Sequence, residues 1–125
     1  MDLLGTIAAG DREGLAAMVS DGVVYHSPGT SYRGREQVVD VLGVAPSVIA
    51  NFRATRDPVA IGNDERVTFV TGTVEEEEIH GVMIEARDEA GRIAEINLLL
   101  RPLSAVQAAT RHLARALADA KESRA

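Results

Sequence analysis

The chain has 125 residues, 46% of them apolar and 26% charged, which suits one compact domain built on a single core. A formal charge of -6 disfavours nucleic acid as a partner, and no run of about eighteen apolar residues exists to span a membrane. Cysteine is absent, which excludes disulfides, thiolate catalysis and cysteine-based metal sites and fits a cytoplasmic location.

Leu3, Leu4, Ile7 and Ala8 have helical spacing and predict a short first helix. Residues 1–10 lack the basic start and long apolar run of a secretory signal. Gly10 interrupts the first helix, and Asp11 is placed to cap a second one. That helix carries Leu15, Met18 and Val19 on one face and should end near Asp21-Gly22. Residues 23–27 read as a short strand stopped by Pro28-Gly29.

Tyr32-Arg33-Gly34-Arg35 leads into a further helix with Val38, Val39 and Leu42 as its apolar stripe. Val48, Ile49 and Phe52 predict one more helical turn within residues 46–52. An antiparallel meander should follow, with strands over residues 54–61, 66–74, 79–86 and 92–100. Its turns are Gly62-Asn63-Asp64, the charged tip Glu75 to Glu78, and Asp88 to Gly91.

The last strand is apolar at nearly every position, through Ile93, Ala94, Ile96, Leu98, Leu99 and Leu100. A strand without alternation is covered on both faces. Helices can cover one face, so the other predicts a homodimer through the outer face of the sheet. Beyond Pro102 the spacing becomes helical, with Ser104 and Gln107 in the form of a capping box. Leu103, Val106, Thr110, Leu113, Leu117 and Ala120 form its seam, which packs on the domain, covers a pocket mouth or meets a second subunit.

Several strings in this order carry a resemblance. They are Ala9-Gly10-Asp11 with Asp21-Gly22-Val23, Tyr25-His26-Ser27-Pro28 before Tyr32-Arg33-Gly34-Arg35-Glu36, and Asp88-Glu89-Ala90-Gly91-Arg92. With Arg101-Pro102-Leu103-Ser104 they resemble the nuclear-transport-factor-2-like superfamily, in its SnoaL-like bacterial branch. The resemblance implies an α+β domain over residues 1–125, a cone-shaped, strongly curved antiparallel sheet wrapped on N-terminal helices with a C-terminal helix. It leaves activity open, because the fold hosts ketosteroid isomerases, polyketide cyclases, epoxide hydrolases, dehydratases and binding proteins.

By the same resemblance, Ser27 stands where the isomerases place their aspartate base, Met83 where a second acid serves, and Leu3 near the helix-one tyrosine. A serine hydroxyl does not accept a proton at neutral pH without a neighbouring base, and a thioether does not titrate. Each acid–base group contributes about a hundred- to ten-thousand-fold, so the known isomerase mechanism is not expected.

What remains is a wall for a small apolar molecule. Tyr25 and Ser27 share one strand face, and the resemblance turns Phe69, Thr71, Thr73, Met83, Ile96, Leu98 and Leu100 to the cavity. Those side chains could equally fill the core. The leading expectation is a dimeric binding protein for a hydrophobic ring metabolite such as a polyketide, terpenoid or steroid-like ring. Two others stay open. One is a lyase, isomerase or hydrolase using Glu85 or His26, with Tyr25 as hydrogen-bond donor, and the other is an interaction module without ligand.

His26 and His80 flank cavity-facing positions and should point outward, while His112 should be solvated on the last helix. No two histidines have metal-ligand spacing, and neither a metal nor a cofactor is expected.

Overall fold

The computed structural model describes residues 2–124. Asp2 accepts a hydrogen bond from the Gly5 amide at 2.7 Å and caps α1 (Leu3–Ala8). Asp11 accepts from the Gly14 amide at 3.0 Å and caps α2 (Arg12–Met18). Each carboxylate satisfies an amide that the first helical turn leaves free. Leu3, Leu4, Ile7 and Leu15 are thereby turned into the core.

α2 stops at Met18, ahead of the expected Asp21-Gly22, and β1 (Val19–His26) starts at once. The β-branched Val19 leaves the helix for the sheet, where it is wholly buried. After the Pro28-Gly29 turn the chain doubles back as β2 (Ser31–Arg33), a strand too short to show a period in the sequence. It pairs Tyr25 with Tyr32 and His26 with Ser31.

α3 (Arg35–Gly43) follows and buries Val38, Val39, Val41 and Leu42. The helical turn expected within residues 46–52 is a single 3₁₀ turn at Ala45–Ser47, and β3 (Ala50–Ala54) takes the rest. The strand expected over 54–61 is broken at Pro58, which has no amide to give a ladder, and resumes as β4 (Val59–Ile61). β5 (Glu65–Val74), β6 (Glu77–Arg87) and β7 (Ile93–Arg101) form the meander, and α4 (Leu103–Arg124) closes the chain.

The sheet runs β2-β1-β7-β6-β5-β3, with β4 also on β5. β5, β6 and β7 are antiparallel as expected, but β1 lies parallel to β7, so the sheet is mixed. Parallel neighbours need a long return path, and the chain between β1 and β7 supplies one by building most of the domain.

Two glycines let the sheet curl. A Cβ at Gly81 would stand 1.8 Å from the Leu99 carbonyl oxygen, and one at Gly72 would stand 2.6 Å from Ile49 Cγ2. Breaks in register within β1, β3 and β6 add to the bend. The result is an α+β cone, with the helices packed against the concave face.

Pairing fixes which side chains face inward. Thr68 stands opposite Met83, Met83 opposite Leu98, and Tyr25 opposite Ile96, all on the concave side. β7 therefore alternates after all. Ile96 and Leu98 are buried, whereas Glu95, Leu99 and Arg101 are exposed. The apolar run reads as two-faced in sequence because Leu98, Leu99 and Leu100 are alike, although only the middle one points out.

The capping box at the start of α4 does not form. Ser104 is already inside the helix, and its hydroxyl donates to the Glu77 carboxylate at 2.9 Å. The buried seam is also shifted. Leu103 is 71% exposed, and Ala105 and Ala108 are buried in its stead.

Candidate functional site

A cavity of about 70 Å³ lies between the sheet, α3 and α4. Tyr25, Leu98 and Leu100 form its sheet wall, and Val41 and Leu42 of α3, with Ile49 from the bend before β3, the wall opposite. Val106, Ala109 and Leu113 of α4 roof it. The small Ala109 of α4 stands between the larger Val106 and Leu113 in this roof. The cavity mouth is bordered by the exposed Pro28, Gly29 and Thr110. The approach is close there, since a Cβ on Gly29 would meet Thr110 Oγ1 at 3.4 Å.

Tyr25 is the polar feature of this apolar chamber. It is 5% exposed, and its hydroxyl has no hydrogen-bond partner among the described residues. Burial, with a smaller contribution from neighbouring Tyr32, raises the phenol pKa above its ordinary value. The group therefore stays a neutral O–H and offers a donor to whatever enters. The oxygen keeps contact with the cavity space, where water can serve as its partner until a ligand acceptor takes that place.

Ser27 also lines the chamber, but its hydroxyl is committed. It donates to the Thr30 carbonyl at 2.7 Å and accepts from the Gly29 and Thr30 amides at 3.2 and 3.0 Å. This side chain closes the turn after β1.

The other expected site residues divide. Leu98 and Leu100 line the cavity, whereas Met83 and Ile96 are core residues that do not reach it. Phe69, Thr71 and Thr73 face the other way, because β5 presents Thr68, Val70 and Val74 to the concave side. Thr71 donates to the Ile79 carbonyl at 2.8 Å, and Phe69 lies beneath the Arg56 guanidinium, 3.6 Å from its ring centre. The wall from α3 was missing from the expected set, since strand alternation says nothing of which helix residues lie opposite, while Val106, Thr110 and Leu113 of the expected α4 seam do border the cavity.

Glu85 does share the concave side with Met83 and is buried, but it does not line the cavity. Its carboxylate accepts from Arg87 at 2.8 Å. His26 points outward, with Nδ1 2.7 Å from Ser31 Oγ and Nε2 3.1 Å from Glu95 Oε2. His80 pairs with Glu78 at 2.9 Å, and His112 with Glu75 at 3.0 Å. Among the described residues no group of histidine and acidic side chains is placed to hold a metal ion. No helix there is long and apolar enough to cross a membrane.

Comparison with known proteins agrees with this architecture. The sequence model of a family described as SnoaL-like domain matches residues 2–96. A steroid delta-isomerase from Pseudomonas aeruginosa is similar in structure, with 28% identity and a TM-score of 0.85 over 94% of this chain and 88% of that one. A protein with a cystatin-like fold from Silicibacter pomeroyi is similar at 26% identity and a TM-score of 0.86, covering 98% and 87%. An NTF2-like protein of unknown function from Cytophaga hutchinsonii shares the fold at 8% identity and a TM-score of 0.65, covering 79% and 83%. No curated protein matches the chain.

Proposed function

The chain belongs to the SnoaL-like domain family, and from that premise we propose that it binds a small hydrophobic ring metabolite in the chamber beneath α4. The observation that carries the reading is Tyr25, whose hydroxyl has no hydrogen-bond partner among the described residues in a chamber with apolar walls. The ligand implied is an apolar ring with an acceptor oxygen, such as a carbonyl, placed to take that hydrogen bond.

At about 70 Å³ the chamber is smaller than a filled ligand site, which commonly measures about 300–1,000 Å³. Ring binding therefore requires α4 to move outward. Its polar ties to the β5–β6 hairpin, Ser104 to Glu77 and His112 to Glu75, are made by exposed or half-exposed side chains that water can satisfy in their place.

The likeness to a steroid delta-isomerase favours a second reading, turnover of such a ring. Binding stands ahead of it, because no cavity-lining residue carries a carboxylate or an imidazole. Tyr25 could supply a donor in either case, but a base would have to come from elsewhere.

The proposal includes a homodimer through the outer sheet face. There the cross-strand pairs Val67–Ile84 and Phe69–Val82 form a half-buried apolar patch on β5 and β6. Sedimentation of the wild type against Val82→Glu tests it, since a monomeric wild type contradicts the dimer.

A thermal-shift screen against apolar ring compounds with and without a carbonyl tests the binding reading. The expected result is stabilisation by carbonyl-bearing rings that Tyr25→Phe weakens. No stabilisation by any member of the panel would contradict it.

A further inference from the structure

The outer face at the β2–β1–β7 edge holds an arrangement that the chamber does not use. Ser31, His26 and Glu95 sit on three neighbouring strands. Ser31 Oγ is 2.7 Å from His26 Nδ1, and Glu95 Oε2 is 3.1 Å from His26 Nε2. An ionised carboxylate only accepts, so Glu95 fixes the imidazole proton on Nε2. Nδ1 is then the acceptor for the Ser31 hydroxyl proton. Nucleophile, base and orienting acid stand in hydrogen-bonded order.

Two features extend the trio. Asn97 is the β7 partner of His26, and its side-chain amide has no hydrogen bond among the described residues. It is a free donor beside the base, of the kind that stabilises an oxyanion. His26 and Asn97, but not Ser31 or Glu95, line an adjoining surface groove of about 480 Å³ whose lining includes Leu99 and Leu103, so the trio stands at the rim of the groove. These are 54% and 71% exposed, and Leu99, the cross-strand partner of Val82, borders the proposed dimer patch, while Leu103 extends the apolar surface away from it.

We propose that Ser31, His26 and Glu95 form a hydrolytic site for esters with a short apolar acyl chain. Ser31 Oγ attacks the ester carbonyl as its proton passes to His26 Nδ1, and Asn97 donates to the resulting oxyanion. The carbon–oxygen bond to the alcohol breaks, and His26 returns the proton to the departing alkoxide. Water then attacks the acyl-serine, giving its proton to Nδ1, and Ser31 leaves with that proton to restore the free enzyme. No other reactant is consumed. Leu99 and Leu103 hold the acyl chain. The His26 and Glu95 side chains are 35% and 51% exposed, so water is not excluded and activated esters are the substrates to try.

The experiment is hydrolysis of p-nitrophenyl butyrate by the full chain, with labelling by a fluorophosphonate and peptide mapping. The wild type should exceed Ser31→Ala and His26→Gln by at least about tenfold, and the label should fall on Ser31. His80→Gln should leave the rate unchanged, since His80 is an exposed outer-face imidazole paired only with Glu78. Wild-type rates in Ser31→Ala would overturn the proposal. So would equal losses in His80→Gln and His26→Gln, which would mean that surface imidazoles act alone. The label needs no variant to fold, and its absence from Ser31 overturns the proposal directly.

Discussion

The rings of Tyr25 and Tyr32 stack with centroids 5.9 Å apart and planes 20° apart. Their strands pair at these two residues, so the contact follows from the β1–β2 register. Tyr25 faces the chamber, while Tyr32 borders a separate groove beside α3 and the end of α4. The stack holds one aromatic wall of the chamber in place and leaves its hydroxyl free of protein partners.

Tyr25→Phe should therefore keep the fold. Deleting a hydroxyl that has no partner among the described residues breaks no hydrogen bond within the protein, so stability should change by less than about 1 kcal/mol. Urea unfolding measures it. A loss of more than about 1 kcal/mol would show that the hydroxyl has a partner.

The same phenol sets an alkaline limit. Its folded pKa is raised above the ordinary value of 10.0 by burial and, less, by Tyr32. Above about pH 10 the unfolded chain releases this proton while the folded chain retains it, so stability falls as pH rises. The slope from this group approaches about 1.4 kcal/mol per pH unit, and below pH 10 the term is flat. Unfolding free energies between pH 9 and 11, read by circular dichroism, should fall less steeply in Tyr25→Phe. Equal slopes in the two proteins would contradict the assignment.

Gly81 is where the curvature is most exposed to substitution. An added Cβ meets the Leu99 carbonyl oxygen, a backbone atom that cannot rotate away. Gly81→Ala should cost about 3 kcal/mol by forcing β6 and β7 apart. Gly22→Ala, where a Cβ meets nothing within 4 Å, is the control and should change little. Thermal unfolding of both variants checks the difference.

Arg87 shields a buried acid. Glu85 has a side chain 3% exposed, held by Arg87 at 2.8 Å. Arg87→Ala leaves that carboxylate without its partner and should cost about 2 kcal/mol, with Glu85→Gln costing less. In the double variant the two costs should not add. Additive losses would show that the pair is not coupled.

Much of the fold is legible in the sequence because its signals are local. Asp11 announces a helix start, Pro28-Gly29 a strand end, and Asp88 to Gly91 a hairpin. The errors come from relationships that no local pattern carries. Phe69, Thr71 and Thr73 look like a cavity wall until the pairing of Thr68 with Met83 sets the facing of β5. The parallel joining of β1 to β7 depends on where a distant strand lies. The roof of the chamber is set by which face α4 lays down, and the alternative seams through Leu103 and Ala105 are both apolar. The partnerless Tyr25 hydroxyl is visible only once every neighbour has been placed.

The most direct test of the binding account is a methyl NMR titration of the Ile, Leu and Val side chains with the strongest carbonyl-bearing ring from the thermal-shift screen. Leu98, Leu100, Val106 and Leu113, which surround the chamber, should shift together and saturate. In Tyr25→Phe the same signals should respond at higher ligand concentration. Shifts confined to the exposed Leu99 and Leu103, or none at all, would contradict a ligand beneath α4.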